Sequence, residues 1–286
     1  MPVESRSRPR QAGVVGSPIE HSLSPALHLA AYRALGLRQW SYHRNEVPAG
    51  GLESFVAGLP DSWVGLSVTM PGKEEALALA DEATHRATLA GAANTLIRRT
   101  DGWWADNTDV DGILSALTEA GCQHTETAWV LGSGATCRSV LVALHELGLR
   151  RVTLQVRSTA RRATLVLADS LGIETVVRDY DEGGPGWDCF DVAVSTVPAH
   201  ASLPMPPRRL WAHGVSAPTP VWAMDVTYQV DSDWAVRLGA AGATRVSGAQ
   251  MLLHQAARQV QLMTGQEAPL AAMRTALAAG RVHPAT

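Results

Sequence analysis

Lysine is almost absent from this chain of 286 residues, in which Lys73 is the sole lysine beside 23 arginines. Asparagine is also scarce, with only Asn45, Asn94 and Asn107. A GC-rich coding sequence lowers both counts, so codon bias is one explanation. The alternative is chemical, because an arginine keeps its proton at any ordinary pH whereas a lysine amine can be tuned to release and accept one. The single lysine, in a Pro-Gly turn beside two glutamates, therefore indicates a functional site.

Other absences exclude whole classes of function. A net charge of −3 leaves no basic footprint for nucleic acid. The three cysteines, Cys122, Cys137 and Cys189, are odd in number and widely spaced, and the ten histidines form no ligand cluster, so neither a disulfide framework nor a metal site is expected. No apolar run approaches the roughly 18 residues of a membrane-spanning helix. Residues 1–11 lack the apolar core of a signal peptide, so we expect a disordered tail on a cytoplasmic protein.

Strands alternate with helices along the whole chain, which predicts an α/β fold with a largely parallel sheet. The length suggests about two domains. Ser24 followed by Pro25 is typical of a helix start, with a hydroxyl N-cap and a proline in the first turn. The predicted strands cover residues 12–16, 40–44, 64–68, 93–98, 102–105, 127–131, 151–156, 192–196 and 224–226, with 93–98 and 102–105 forming a hairpin. The predicted helices cover residues 25–35, 51–58, 73–80, 110–120, 138–147, 162–171, 250–263 and 270–279.

A glycine turn follows the buried strand at 127–131 and precedes a helix, where a dinucleotide-binding unit holds a pyrophosphate. Its residues are Gly132, Ser133, Gly134, Ala135 and Thr136, with no glycine in the last position of the usual pattern. At the end of the next strand an NAD enzyme usually carries an acid. This chain instead has arginines and a serine there, which favours the 2′-phosphate of NADP, although an ordinary solvated helix start would also be basic. These residues are Arg157, Ser158, Arg161 and Arg162.

The N-terminal half carries a second set of polar residues. Ser22 and Ser24 place two hydroxyls around a helix N-terminus, which suits a carboxylate or a polyol, and a simple N-cap explains only Ser24. Ser67 and Thr69 alternate on one strand, so they face the same side. For each of these residues a cap or turn role is an equal alternative. Together with Asn94 and Lys73, however, they provide hydroxyls, an amide and an amine within one domain.

These motifs together resemble the shikimate dehydrogenase family, NADPH-dependent enzymes of aromatic amino-acid biosynthesis. The resemblance runs from Gly16 to about Ala279, and the form Met70-Pro71-Gly72 is similar to the actinobacterial branch. The segments that carry it occur in the family's order and cover residues 16–25, 67–73, 89–95, 106–112 and 247–256.

The resemblance implies a two-domain α/β fold with the active site in the cleft. A substrate domain, residues 1–109 with C-terminal helices in 248–286, would enclose an inserted Rossmann-type NADP-binding domain, residues 110–247. Lys73 and Asp109 would be the catalytic pair. The residues implied to hold the substrate are Ser22, Ser24, Ser67, Thr69, Asn94, Tyr228 and Gln255. Those implied to hold NADP are Gly132, Ser133, Gly134, Ala135, Thr136, Arg157, Ser158, Arg161, Thr196, Val197 and Gly248.

The implied reaction is the reversible, NADPH-dependent reduction of 3-dehydroshikimate to shikimate by a monomer or homodimer, with no metal, nucleic acid or membrane partner. Two alternatives stay open: a paralogue that acts on quinate or aminoshikimate, and a non-catalytic sensor of NADP or the metabolite. The presence of both Lys73 and Asp109 argues against the sensor, because binding alone requires no titratable amine.

The chain departs from the family pattern at four places. Ser67 stands where many members have Asn and offers a single donor. Gly72 replaces a common Phe, Ala135 replaces a Gly, and the segment 229–233 after Tyr228 lacks the usual Pro- and Thr-containing loop.

Overall fold

The computed structural model of the chain describes residues 9–198, 202–205, 221–228 and 232–282. These residues form two compact units. The first unit comprises the described residues up to Thr108 and those from Gln255 onward, and the second comprises those from Asp109 to His254. The domain limits given above, at 109/110 and 247/248, stay a prediction.

The first unit is built around a six-stranded mixed sheet in the order β2-β1-β3-β5-β6-β4. Its strands are β1 (Arg10–Gly16), β2 (Trp40–Glu46), β3 (Trp63–Val68), β4 (Glu82–Ala83), β5 (Thr95–Arg99) and β6 (Gly102–Asp106). Its helices are α1 (Ser24–Ala34), α2 (Leu52–Ala57), α3 (Lys73–Leu79), α4 (His85–Ala90), α10 (Leu270–Val282) and the part of α9 (Gly248–Thr264) from Gln255 onward.

Both faces of this sheet are covered, because successive strand residues point to opposite sides. Val15 belongs to a buried cluster that includes Leu52 of α2 and Ala76 of α3. Its neighbour Val14 belongs to another cluster, which includes Tyr32 of α1 and further apolar side chains of β2 and α9. The two clusters fix the register of β1 and so the position of the loop that follows it.

The second unit is a fully parallel six-stranded sheet in the order β12-β11-β10-β7-β8-β9. This is the doubly wound order of dinucleotide-binding folds, in which the first strand lies beside the fourth. Its strands are β7 (Thr127–Leu131), β8 (Arg151–Val156), β9 (Glu174–Asp179), β10 (Val192–Ser195), β11 (Trp222–Asp225) and β12 (Thr244–Ser247). Its helices are α5 (Asp109–Glu119), α6 (Ala135–Glu146), α7 (Arg162–Ser170), a 3-10 turn (Tyr180–Glu182), α8 (Asp233–Ala240) and the start of α9.

The α/β fold class is confirmed, and the structure corrects several details. The first sheet is mostly parallel as expected, and β5 runs antiparallel to β3 and to β6, the latter as the hairpin predicted for residues 93–98 and 102–105. β1 begins at Arg10, so the interpretation of Arg10 and Gln11 as part of a disordered tail is wrong. The rest of the predicted tail, residues 1–8, and residues 229–231 of the atypical segment lie outside the described residues. α6 begins at Ala135, three residues earlier than predicted, directly at the glycine turn. The elements that the sequence did not predict are β4, α4, β9, α8 and β12.

Within the described ranges, no helix is both long enough and apolar enough to cross a membrane. The same residues contain no group of three or more histidine, cysteine, aspartate or glutamate side chains that could hold a metal ion.

Candidate active site

The polar segments of the first unit meet at one edge of its sheet. β1 and β3 are parallel and end at Gly16 and Val68, while the antiparallel strand β5 begins at the same edge. Backbone hydrogen bonds tie the loops together: the amide of Ser17 donates to the carbonyl of Met70 over 3.0 Å, and the amide of Val68 donates to the carbonyl of Asn94 over 2.7 Å. The fold thus brings together segments that lie more than 50 residues apart.

Ser22 and Ser24 are buried where α1 begins. α1 starts at Ser24 itself, and the preceding residue forms no side-chain cap, so the predicted N-cap role of Ser24 is wrong. The hydroxyl of Ser22 instead accepts the amide of Ser24 over 3.3 Å. Arg44 of β2 holds this turn from outside, since its Nη2 donates to the carbonyl of Ser22 over 2.8 Å.

Lys73 is half-buried and is the first residue of α3. Its carbonyl accepts the amide of Ala93 over 2.8 Å, which fixes the start of α3 one residue from Asn94. Of the two neighbouring glutamates, Glu75 is engaged elsewhere, because its carboxylate accepts the amides of Gly50 (2.8 Å) and Leu52 (3.3 Å). The lysine and the asparagine singled out in the sequence are therefore neighbours in the fold.

Asn94 is buried and held by three donors on its Oδ1 atom. The amide and hydroxyl of Thr108 donate to it over 2.8 and 3.0 Å, and the hydroxyl of Thr95 donates over 2.8 Å. The Nδ2 group of Asn94 points to Gln255 of α9, whose Oε1 accepts over 3.4 Å. Asn94 and Gln255, predicted as binding residues from distant segments, thus lie side by side.

Ser67 and Thr69 lie on either side of the end of β3. Thr69 is half-buried, and its methyl group lies so close to Gly16 that a Cβ there would overlap it. Ser67 is buried, and its hydroxyl hydrogen-bonds Tyr42 over 2.6 Å and Gln259 over 2.7 Å. The sequence did not single out Tyr42 or Gln259. A signal existed for Gln259, which follows Gln255 by four residues and so shares its helix face.

In the second unit, the glycine turn lies at the point where the strand order reverses, between β7 and β10. Gly132 has φ +100°, a conformation that favours glycine. A Cβ on Gly132 would lie 2.6 Å from Thr196 Oγ1 and 3.1 Å from Val197 Cγ1, both just after β10. Ligands of such sheets bind at this position, outside the carboxyl ends of the strands. The structure thus brings together three of the predicted cofactor residues.

Gly134 precedes α6, and a Cβ placed on it would meet no atom within 4 Å. This open space lies at the helix N-terminus, where backbone amides and the helix dipole favour an anion. Ser133 joins the turn to the start of α7, since its carbonyl accepts Thr164 Oγ1 over 2.7 Å and its hydroxyl accepts the amide of Arg161 over 3.1 Å. The bare turn therefore offers backbone donors and room for a pyrophosphate.

The side chains after β8 are exposed, as a phosphate-binding set must be; they are Arg157, Ser158 and Arg161. Two guanidinium groups beside a hydroxyl match the charge and hydrogen-bonding capacity of a phosphate monoester. Together with the glycine turn, these residues fit a dinucleotide that carries a 2′-phosphate.

Three other predicted residues belong to the second unit. Asp109 is buried at the start of α5, directly after Thr108 in the chain. Tyr228 is half-buried, after β11. Gly248 begins α9, and a Cβ on it would overlap the carbonyl oxygens of Asp225 and Thr227, so a side chain has no room there. The roles of Asp109 and Tyr228 toward the substrate stay predictions.

Comparison with known proteins shows the family to which the chain belongs. The family model of the shikimate dehydrogenase substrate binding domain matches residues 14–96, and that of the shikimate 5′-dehydrogenase C-terminal domain matches residues 248–278. A protein of Thermosynechococcus vestitus named shikimate dehydrogenase (NADP(+)) is 34% identical over 270 residues, which is 93% of either chain. The chain belongs to the shikimate dehydrogenase family.

Solved structures of this family share the fold over nearly the whole chain. The crystal structure of Mycobacterium tuberculosis shikimate dehydrogenase is 44% identical with a TM-score of 0.79, and the match covers 95% of this chain and 100% of that one. The shikimate 5-dehydrogenase of Thermus thermophilus, solved in complex with NADP(H) and shikimate, is 28% identical with a TM-score of 0.79, and the match covers 94% of this chain and 99% of that one. The resemblance of the sequence motifs to this family is thereby confirmed.

Proposed function

We propose that this shikimate dehydrogenase family member catalyses the reversible, NADPH-dependent reduction of 3-dehydroshikimate to shikimate in aromatic amino-acid biosynthesis. One observation carries the proposal: the hydrogen bond between the amide of Ala93 and the carbonyl of Lys73 places the sole lysine next to the buried Asn94–Gln255 pair. A proton-transferring amine beside amide donors suits a substrate that carries both a carbonyl and several hydroxyls.

The side chains of the first unit bind the ring and move the proton. NADPH, when bound, supplies a hydride to the carbonyl carbon. The Lys73 amine gives a proton to the oxygen that becomes the new hydroxyl and takes it back in the reverse direction. Asp109 orients that amine. The remaining binding groups hold the carboxylate and the other hydroxyls; they are Ser22, Ser24, Ser67, Thr69, Asn94, Gln255 and Tyr228.

The second unit holds the cofactor. The turn from Gly132 to Thr136 and the N-terminus of α6 bind the pyrophosphate, and the guanidinium groups after β8 bind the 2′-phosphate. Thr196, Val197 and Gly248 line the same edge of the sheet. Cytoplasmic location and a monomeric or homodimeric state remain predictions.

A steady-state assay of shikimate, quinate and aminoshikimate, each with NADP and with NAD, tests the proposal. We expect the highest kcat/KM for shikimate with NADP, because the hydroxyl-binding groups and the arginines are both in place. A higher kcat/KM for quinate or aminoshikimate would assign the chain to a paralogous activity. Tight binding of shikimate and NADP by calorimetry without turnover would instead identify a sensor, and would contradict a catalytic role of Lys73.

A further inference from the structure

A chain of buried hydrogen bonds runs behind the candidate substrate groups of the first unit. It leads from Tyr42 to Ser67, from Ser67 to Gln259, from Gln259 to Thr95, and from Thr95 to Asn94. The distances of these four bonds lie between 2.6 and 2.9 Å. Each member is at most 5% exposed, so water does not replace these bonds and each is costly to lose.

Two backbone groups fix the direction of this chain. The amide N–H of Thr108 can only donate, so the atom of Asn94 that faces it must be the carbonyl oxygen. The backbone carbonyl of Asn94 can only accept, and it lies 3.2 Å from Gln259 Nε2, so the Gln259 amide group is oriented with its nitrogen toward β5. The oxygen of Gln259 must therefore face Ser67, and the hydroxyl of Ser67 must donate to it.

The hydroxyl of Ser67 has one proton, and Gln259 takes it. Tyr42 then has to donate its own proton to Ser67 Oγ. Burial raises the pKa of Tyr42, although the bond to Ser67 opposes the change, so the phenol keeps this proton at any physiological pH. A serine oxygen accepts two hydrogen bonds, and Tyr42 fills one of the two sites. Toward a ligand, Ser67 therefore offers only an acceptor.

Asn94, in contrast to Ser67, offers a hydrogen-bond donor. Its oxygen is occupied by three donors, so the Nδ2 group is the part of the side chain that remains for other partners, including Gln255. Gln259 thus bonds the serine acceptor directly and is linked to the amide donor through Thr95.

We infer that Gln259 is a positioning residue for the substrate, which sets Ser67 as an acceptor and, through Thr95, holds Asn94 in the orientation in which it is a donor. Ser67 so oriented receives a hydroxyl and disfavours a carbonyl or carboxylate oxygen, while the Nδ2 group of Asn94 meets an oxygen lone pair. Gln259 acts through these two side chains and needs no contact of its own with the ring. The inference rests on the proposed function, because it concerns how the hydroxyls of shikimate are recognised.

His28 supports the orientation of Gln259 from the other side. Its Nε2 lies 3.4 Å from Gln259 Oε1, and its ring stacks on Tyr42 with centroids 4.0 Å apart. Burial lowers the pKa of His28 to about 3, so the ring is neutral and carries one N–H. Because Gln259 Oε1 accepts, that proton belongs on Nε2. The donors of His28 and Ser67 are therefore both consistent with one orientation of the Gln259 amide, in which Oε1 is the acceptor.

Gln259→Met tests the inference, because it keeps the side-chain length and removes both amide functions. We expect the shikimate Kd to rise about tenfold, the effect of losing roughly one oriented hydrogen bond, while the NADP Kd stays within about twofold. Calorimetry of the full-length protein measures both constants. A shikimate Kd within about twofold of wild type, in protein with native circular dichroism, would overturn the inference.

Gln155→Met is the matched control. Gln155 is the corresponding fully buried glutamine of the second unit, where it accepts Trp129 Nε1 over 2.8 Å and donates to the carbonyls of Asp179 and Gly183. We expect this variant to lose stability as Gln259→Met does but to bind shikimate as wild type does. Equal weakening of shikimate binding by both variants would show a general loss of stability and would overturn the positioning role.

Gln259→Glu keeps the test valid if the methionine variant does not fold. Protonated, the new carboxyl keeps an acceptor for Ser67 and one donor in place of the two N–H groups that serve Thr95 and the Asn94 carbonyl. Ionised, it offers acceptors only and draws the hydroxyl of Thr95 away from Asn94. The ratio of the variant's shikimate Kd to that of wild type should therefore rise with pH. A ratio near one throughout would contradict the inference, and failure of the wild-type protein to bind shikimate would contradict the proposed function as well.

Discussion

The two units shape their candidate sites by opposite means. In the first, side chains hold one another: Ser67, Asn94 and Gln259 are buried and joined by directional hydrogen bonds. In the second, the site is shaped by backbone groups and by space, at Gly132 and Gly134. A ring with several hydroxyls can be distinguished only by fixed donors and acceptors, whereas a pyrophosphate needs close approach to backbone amides. The chemistry of each ligand accounts for the difference.

The largest effect is expected where the first unit loses its titratable group. Lys73→Arg keeps the positive charge but replaces an amine that can release a proton with a guanidinium that cannot. The kcat should therefore fall about 10²-fold or more, while shikimate binding weakens far less. Steady-state kinetics and calorimetry on the same preparation separate the two quantities. A kcat near that of wild type would leave Lys73 as an electrostatic clamp only.

Arg157→Ala tests the exposed charges of the second unit. The KM for NADP should rise by about several-fold to a hundredfold, as expected for the loss of a charge-assisted hydrogen bond, and the kinetics with NAD should barely change. Arg151→Ala is the control, since Arg151 is an exposed arginine at the opposite end of the same strand. If NADP and NAD weaken equally, the assignment of the 2′-phosphate site is wrong.

Gly134→Ala tests whether open space is the functional feature of the turn. A Cβ at this position meets no protein atom within 4 Å, so the melting temperature should not change. The methyl group would keep a pyrophosphate from the backbone, and we expect the NADP Kd to rise about tenfold. Gly132→Ala provides the contrast: its Cβ would lie 2.6 Å from Thr196 Oγ1, so it should destabilise the fold. Unchanged NADP binding in Gly134→Ala would place the pyrophosphate elsewhere.

His28 gives the first unit a dependence of stability on pH. Its pKa is lowered from 6.5 to about 3 by burial, so between these values the unfolded chain binds a proton that the folded chain does not. The free energy of unfolding should therefore fall as the pH falls below 6.5, by at most about 1.4 kcal/mol per pH unit. Denaturant titrations at several pH values give the free energy of unfolding, which should change less steeply with pH in His28→Gln than in wild type. The control is His21→Gln, at an exposed position of the same unit, and an unchanged slope in His28→Gln would contradict the prediction.

The sequence was most informative where residues form long or fully buried elements. β7 and β8 were predicted with their observed limits, because β7 is an apolar run and β8 alternates polar and apolar residues. β9 was missed because it is an edge strand with several exposed residues and no regular alternation. The six-residue helix α4 was also missed.

The site was predictable in part for a similar reason. Lys73, Asn94 and Arg157 adjoin strands and turns that the sequence itself predicts, so their place at an edge of a sheet could be predicted. For Gln259 the chain offers only its four-residue spacing from Gln255, because its partner Ser67 is 192 residues away and their contact exists only after α9 packs on the sheet. The direction of the hydrogen bonds is also a property of the folded protein, since backbone groups of Asn94 and Thr108 determine it.

Selective labelling of amines tests the central claim most directly, because Lys73 and the N-terminus are the only amines in the chain. Residual activity is measured against labelling of each amine, quantified by peptide mass spectrometry, with and without shikimate or NADPH. We expect activity to fall in proportion to labelling of Lys73, shikimate to slow this loss, and NADPH alone to protect less, because the substrate occupies the space around the amine. Full activity in protein completely modified at Lys73 would contradict the account.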